Sequence, residues 1–457
     1  MTVNKHVRNV KILLVPFLAI FLALAPARAQ TLLRDAEIET WLREYSEPLF
    51  EAAGLNAEAV EIYIVGDPSL NAFVTAGLRV FVHTGLITAA DTPNQVEGVL
   101  AHETGHLAGG HQQRGAEARA TAGRSAMLSL VLGAAVIAAG GSPEAGMGIV
   151  GLGQSIGISE YLAYNRGQEA AADQAAVGYL EAVGSSGQGL VDFFNKLSNR
   201  QLITSRRIDP YLLTHPLAIK RMSALRDRVG DQSNFDNADT EDEIFRLHMI
   251  QAKINGFMQD PQATMRQYPL RDQTPPARYA RAVAYYRASQ LDKASREIDR
   301  LIKDDPKNPY FWELKGQMLF EHGQIDQAVA PHRMSVSLAP QYALLKINLA
   351  RALVALEDGE QMREAIEVLK SALRQEPDNG FGWSELARAY AFEGEQGLAN
   401  LAQAQAFFAG GNLPEAHRFA TRAKDALPAG TPEHLQSLDI INASEDIARK
   451  ARRRGRR

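Results

Sequence analysis

The chain has no cysteine, which excludes disulfides, cysteine-ligated zinc, iron–sulfur clusters, thiol catalysis and a lipidated N-terminal cysteine. It has no excess of positive charge. Its 49 Lys+Arg against 53 Asp+Glu leave a formal charge of −4, the wrong sign for a general nucleic-acid footprint, so no nucleic-acid partner is expected. It also lacks an apolar run of the ~20 residues that a membrane-spanning helix needs. What is present is ordinary globular material: 457 residues, 46% hydrophobic and 22% charged, enough for two or three packed domains. Any metal here must be held by His and carboxylates.

The first 29 residues read as an address. Lys5, Arg8 and Lys11 precede the apolar run Ile12 to Ala25, and Ala27-Arg28-Ala29 supplies a cleavage site, with retention as an uncleaved N-terminal anchor of a membrane-tethered protease as the alternative. Cleavage after Ala29 removes four positive charges and takes the formal charge from −4 to −8. Residues 30–229 read as a mixed α/β region. A helix is predicted over Asp35 to Ala53, with Ile38, Trp41, Leu42, Tyr45 and Leu49 on one face. Val60 to Val65 and Leu78 to His83 read as strands around the turn Gly66-Asp67-Pro68-Ser69. Residues 230–265 have an acidic, polar linker followed by a connecting helix from about Glu243 to Met258.

Residues 266–440 repeat. Pro306 and Pro340 are 34 apart, the period of the tetratricopeptide helix pair. In register with them, small residues recur at Ala282, Gly316, Ala350 and Ala387, and alanines at Ala294, Ala328, Ala365 and Ala399. About four repeats are expected, the third lengthened near Glu357 to Gln361. The tail, 441–457, ends in seven positive charges from Arg449 to Arg457. A solvated, disordered tail is one reading of it and adhesion to anionic headgroups the other.

Chemistry concentrates at Ala101-His-Glu-Thr-Gly-His106. Residues four apart share a helix face, so His102 and His106 can reach one zinc ion while Glu103, beside them, can take a proton from water. A third histidine six residues beyond the second would fall at Gln112; His111 is one residue early for that spacing. The other route is a carboxylate from a later helix. Glu169 and Asp173, four apart in an alanine-rich stretch, suit a third ligand and a partner for a liganding imidazole. Between these motifs lie two apolar stretches, Ala126 to Ala139 and Ala145 to Ile158. They read as a buried helical hairpin, with partial insertion into a membrane or contact with a membrane-protein client as the alternative.

Together, His102-Glu103-x-x-His106, Asn165-Arg166-x-x-Glu169-x-x-Ala172-Asp173 and Thr214-His215-Pro216 with Arg221 resemble the CAAX prenyl protease/heat-shock membrane protease family of zinc peptidases. The resemblance implies a mainly helical α+β, gluzincin-like zinc-peptidase domain, followed here by an all-α tetratricopeptide solenoid. It implies one zinc ion per chain on His102, His106 and Glu169, with Glu103 as catalytic base and Asp173 and Arg221 behind the ligands. His215 is implied near the metal, either as a latching fourth ligand or as an oxyanion stabiliser. Asn71-Ala72-Phe73 matches the family segment ahead of an edge strand running to Val82, where substrate main chain would pair. The order of signal peptide, peptidase and repeats is most similar to periplasmic members in Gram-negative bacteria. Those imply misfolded or stalled outer-membrane proteins and the outer-membrane assembly machinery as partners. A periplasmic chaperone or adaptor with a vestigial site is the alternative.

Overall fold

The computed structural model describes residues 31–112, 114–115, 117, 127–132, 143–203, 211–212, 215–216 and 219–454. The expected signal peptide, Thr214, residues 126 and 133–139 of the first apolar stretch, residues 140–142 after it, and the last three residues of the tail lie outside them.

Helix α1 (Ala36–Ala52) begins where the Asp35 side chain accepts from the Ile38 N–H at 3.0 Å, with Glu37 and Glu39 in its first turn. Its Ile38, Trp41, Leu42 and Leu49 are buried, as the periodicity predicts. It packs beside a four-stranded sheet, β1 (Leu32–Leu33), β2 (Glu61–Val65), β3 (Ala72–Thr75) and β4 (Arg79–His83), ordered β1-β2-β4-β3. β2 and β4 are parallel and the outer pairs antiparallel. The strand ending near Val82 is therefore not an edge: β4 is bonded on both sides. The edge on that side is β3, a separate strand that itself begins with Ala72 and Phe73, and β1 is the edge on the other. The division arises at Gly77 and Leu78, whose φ of +90° and +56° reverse the chain.

Helices α2 (Thr84–Ala89), α3 (Pro93–Ala108), α4 (Pro143–Ala182), α5 (Gln188–Ile203) and α6 (Ile219–Gly230) follow in this half. α3 is central, packed against β3, α4 and α5. Two glycines allow the close approach: a Cβ on Gly98 would lie 2.7 Å from the Leu190 amide nitrogen, and one on Gly105 2.9 Å from the Ala172 carbonyl. The apolar stretch from 145 is the first part of α4, one continuous helix of 40 residues. In the described part of the preceding stretch Met127, Leu128, Leu130, Val131 and Leu132 are exposed and Ser129 is buried.

The connecting helix α7 (Glu241–Met258) opens with a capping box between Thr240 and Glu243. It is more than a spacer. Leu247, Ile250 and Ile254 join the core of the first half, whereas Met249 and Ala252 join that of the repeats. After α8 (Pro261–Gln267) come five helix pairs: α9 (Pro275–Arg287) with α10 (Leu291–Asp304), α11 (Pro309–Glu321) with α12 (Ile325–Leu338), α13 (Ala343–Ala355) with α14 (Gly359–Gln375), α15 (Gly380–Phe392) with α16 (Gln396–Ala409), and α17 (Leu413–Ala426) with α18 (Pro432–Arg454). The in-register small residues are buried, and a Cβ on Gly316 would meet the His332 ring at 2.7 Å. Trp312 and Trp383 make equivalent bonds, each donating its indole N–H to the carbonyl of a proline six residues back. The extra residues of the third repeat lengthen its second helix to 17 residues against 14 in its two predecessors. The tail is helical through Arg454 as part of α18, since it continues an amphipathic segment begun at Pro432.

The halves share a buried ionic cluster. Lys253 on α7 is 1% exposed, with Nζ 2.7 Å from Asp35 Oδ2, 3.1 Å from Glu37 Oε2 and 3.8 Å from Glu313 Oε2. Tyr279 of the first repeat donates to Glu37 Oε2 at 2.7 Å.

Candidate metal centre

α3 carries His102, Glu103 and His106 into the interior, α4 brings Glu169, and His215 approaches from the segment before α6. All five are buried. The Nε2 atoms of His102 and His106 are 3.1 Å apart. His215 Nδ1 is 3.3 Å from His102 Nε2 and 3.1 Å from both Glu169 oxygens. Glu169 Oε1 is 3.3 Å from His106 Nε2, and its Oε2 3.6 Å from His102 Nε2. Four donor atoms thus lie within 4.8 Å of one another. A tetrahedron with zinc–ligand arms of ~2.05 Å has edges of about 3.3 Å, so the donor set fits that ion in size and chemistry.

The surroundings hold these donors in place. His102 Nδ1 lies 2.9 Å from Asp173 Oδ1. Arg221 on α6 grips Asp173 through Nε and, at 2.8 Å, Nη2. Its Nη1 lies 2.8 Å from Glu169 Oε2 and donates to the Pro216 carbonyl at 3.2 Å. One guanidinium therefore ties the Glu169 helix to the His215 segment, a task suited to its rigid fork. Burial would depress His102, but hydrogen bonds to Asp173 and Glu169 outweigh it and hold the ring up at about 9. Burial takes His106 down to about 3. Asp173 stays below the carboxylate range despite burial, because Arg221 and His102 favour its charge.

Glu103 differs. Burial raises its carboxyl, partly offset by His215 and His102, and neither oxygen has a hydrogen-bond partner among the described residues. His215 Nε2 is 3.5 Å from Glu103 Oε1, so the His215 ring stands between this carboxylate and the donor cluster.

The structure thus brings together His102, Glu103, His106, Glu169, Asp173, His215 and Arg221. Asn71, Ala72 and Phe73 lie on and before β3, which α3 packs against. Sequence reasoning missed two aromatic supports. Tyr211 stacks on His215 with ring centroids 4.5 Å apart, and its carbonyl accepts the His215 N–H at 2.7 Å. Phe194 meets His102 edge-on at 5.8 Å and lies under the Arg221 guanidinium at 5.1 Å. Both are apolar-looking residues whose patterns read as core, so no local signal marked them.

The model of "Peptidase family M48" matches residues 36–229 and that of "Tetratricopeptide repeat" residues 279–343. The beta-barrel assembly-enhancing protease of Yersinia pestis is 28% identical over 410 residues, covering 86% of this chain and 82% of that one. Its namesake in Escherichia coli strain K12 is 25% identical over 407 residues, covering 88% and 81%. The E. coli metalloprotease LoiP is 29% identical over 180 residues, 38% of this chain and 65% of its own. The chain is a metalloprotease, with a peptidase family M48 domain and tetratricopeptide repeats behind it.

Proposed function

We propose that the chain is an exported, periplasmic zinc endopeptidase that clears or matures outer-membrane β-barrel proteins. The observation that carries this reading is the donor cluster His102, His106 and Glu169 beside a buried Glu103 with no hydrogen-bond partner among the described residues. A carboxylate left bare in the interior costs several kcal/mol. A vestigial site would have no use for it, which disfavours a chaperone without activity.

Zinc bound by His102, His106 and Glu169 supplies Lewis acidity that polarises a peptide carbonyl and makes water more acidic. The protein does the rest. Asp173 fixes the His102 ring so that Nε2 faces the cluster, and Arg221 holds Asp173 and Glu169. Glu103 takes the proton of the attacking water as the new C–O bond forms, then delivers it to the leaving amine as the C–N bond breaks. An extended substrate pairs its main chain with β3 near Asn71, Ala72 and Phe73. His215 latches the resting enzyme: its Nδ1 completes the donor tetrahedron and its ring stands where water would reach Glu103. The names of the relatives support clients among β-barrel proteins, and the repeats recruit those clients or their assembly machinery. The exposed side chains of Met127, Leu128, Leu130, Val131 and Leu132 support contact with a membrane surface or an apolar client.

Purified mature protein is expected to carry one zinc per chain. Glu103→Gln should retain the zinc and lose ~10²–10⁴-fold in peptide hydrolysis, because the amide cannot accept the proton. Activity within a few fold of wild type would place the base elsewhere.

A further inference from the structure

The two histidines of α3 are supported from behind by different chemistry. His102 turns Nδ1 to the carboxylate of Asp173. Behind His106 stands another imidazole instead. Its Nδ1 faces Nδ1 of His111 at 2.9 Å, and both rings are buried. An imidazole that offers Nε2 as a ligand keeps its proton on Nδ1. That N–H then donates to His111 Nδ1, and His111 in turn carries its proton on Nε2.

The chain is shaped to bring this ring back. Beyond α3 it turns through Gly109 and Gly110, the latter at φ +59°. A Cβ on Gly109 would lie 2.5 Å from His111 Nε2 and 2.8 Å from the Gly105 carbonyl, so only glycine leaves room for the ring. From α4, the Gln168 side-chain amide donates to the His111 carbonyl at 3.4 Å, one residue before Glu169.

Resting on the zinc reading above, we infer that His111 is a positioning residue for the metal: a neutral imidazole that accepts the His106 Nδ1–H and holds His106 Nε2 toward the ligand cluster. It does not enter the cluster itself.

Zinc affinity tests this, measured by competition with a chromophoric chelator on full-length protein carrying Glu103→Gln to prevent self-digestion. His111→Ala should weaken zinc binding ~10–100-fold, the usual loss when the outer partner of a liganding histidine is removed. His111→Asn places an amide oxygen near the position of Nδ1 and should restore affinity to within a few fold of the parent. A merely structural histidine would not show this rescue. Should alanine at 111 prevent folding, His111→Leu fills the ring's volume without an acceptor and takes its place. Affinity unchanged in the variants lacking an acceptor, or asparagine no better than they are, would overturn the inference. A parent that takes up no zinc would instead overturn the zinc reading, and this role with it.

Discussion

Lys253→Met is the sharpest test of how the peptidase and the repeats are joined. The ammonium is 1% exposed and faces Asp35 and Glu37 from the first half and Glu313 from the second repeat. Burial already raises Glu37, and Glu313 is pushed up to about 7, even with the cation beside them. Methionine fills the same space without charge, leaving three carboxylates facing one another. Removing one partner of a buried ionic cluster costs about 3–5 kcal/mol, so the variant should lose about that much at pH 8. Carboxyls whose folded pKa exceeds the unfolded value near 4.5 bind more protons in the native state. Their ionisation therefore costs stability as pH rises through the folded pKa, at ~1.4 kcal/mol for each pH unit that separates the folded from the unfolded value. Acidification to pH 5 protonates Glu313 and shifts Glu37 toward its neutral form, and should bring the penalty to about 1–2 kcal/mol. Urea unfolding at both pH values, followed by tryptophan fluorescence and circular dichroism, gives the comparison. A penalty under about 1 kcal/mol at pH 8, or one that does not shrink at pH 5, would refute the reasoning.

Two further outcomes are expected. His215→Ala should increase proteolysis of a denatured protein and self-cleavage while zinc stays bound; a fall of ~10²–10³-fold would instead make His215 an oxyanion stabiliser. Glu97, bonded to Ser185 and Asn94, is pushed up to about 7 by burial, so its ionisation opposes folding as pH rises from 4.5 through 7. Glu97→Gln should therefore raise stability at pH 8 by about 2–3 kcal/mol and flatten the profile between pH 5 and 7. Thermal melts that show equal pH dependence in both proteins would contradict this.

Local patterns account for a large part of this molecule. The 3.6 period places α1 and α3, His102 and His106 share a face because they are four apart, and the 34-residue spacing of Pro306 and Pro340 yields the helix pairs with their small contact residues buried. These features depend on neighbours within a turn or a repeat, which is why sequence alone determined them. The carboxylates of α4 were legible for the same reason, being spaced to share one face.

Tertiary structure decided the rest. Whether Leu78 to His83 lies at an edge depends on which strands bond to it, and β3 does, because the chain reverses at Gly77. α7 looked like a connector since its apolar residues serve two cores at once and leave no single stripe. Phe194 and Glu169 reach α3 only because Gly98 and Gly105 let α5 and α4 close to contact distance, and His111 folds back on His106 only because Gly109 leaves room for its ring. The contacts that bring Glu169, Phe194 and His215 to the histidines of α3 join segments far apart in sequence and carry no periodic mark, so only the folded chain could place them.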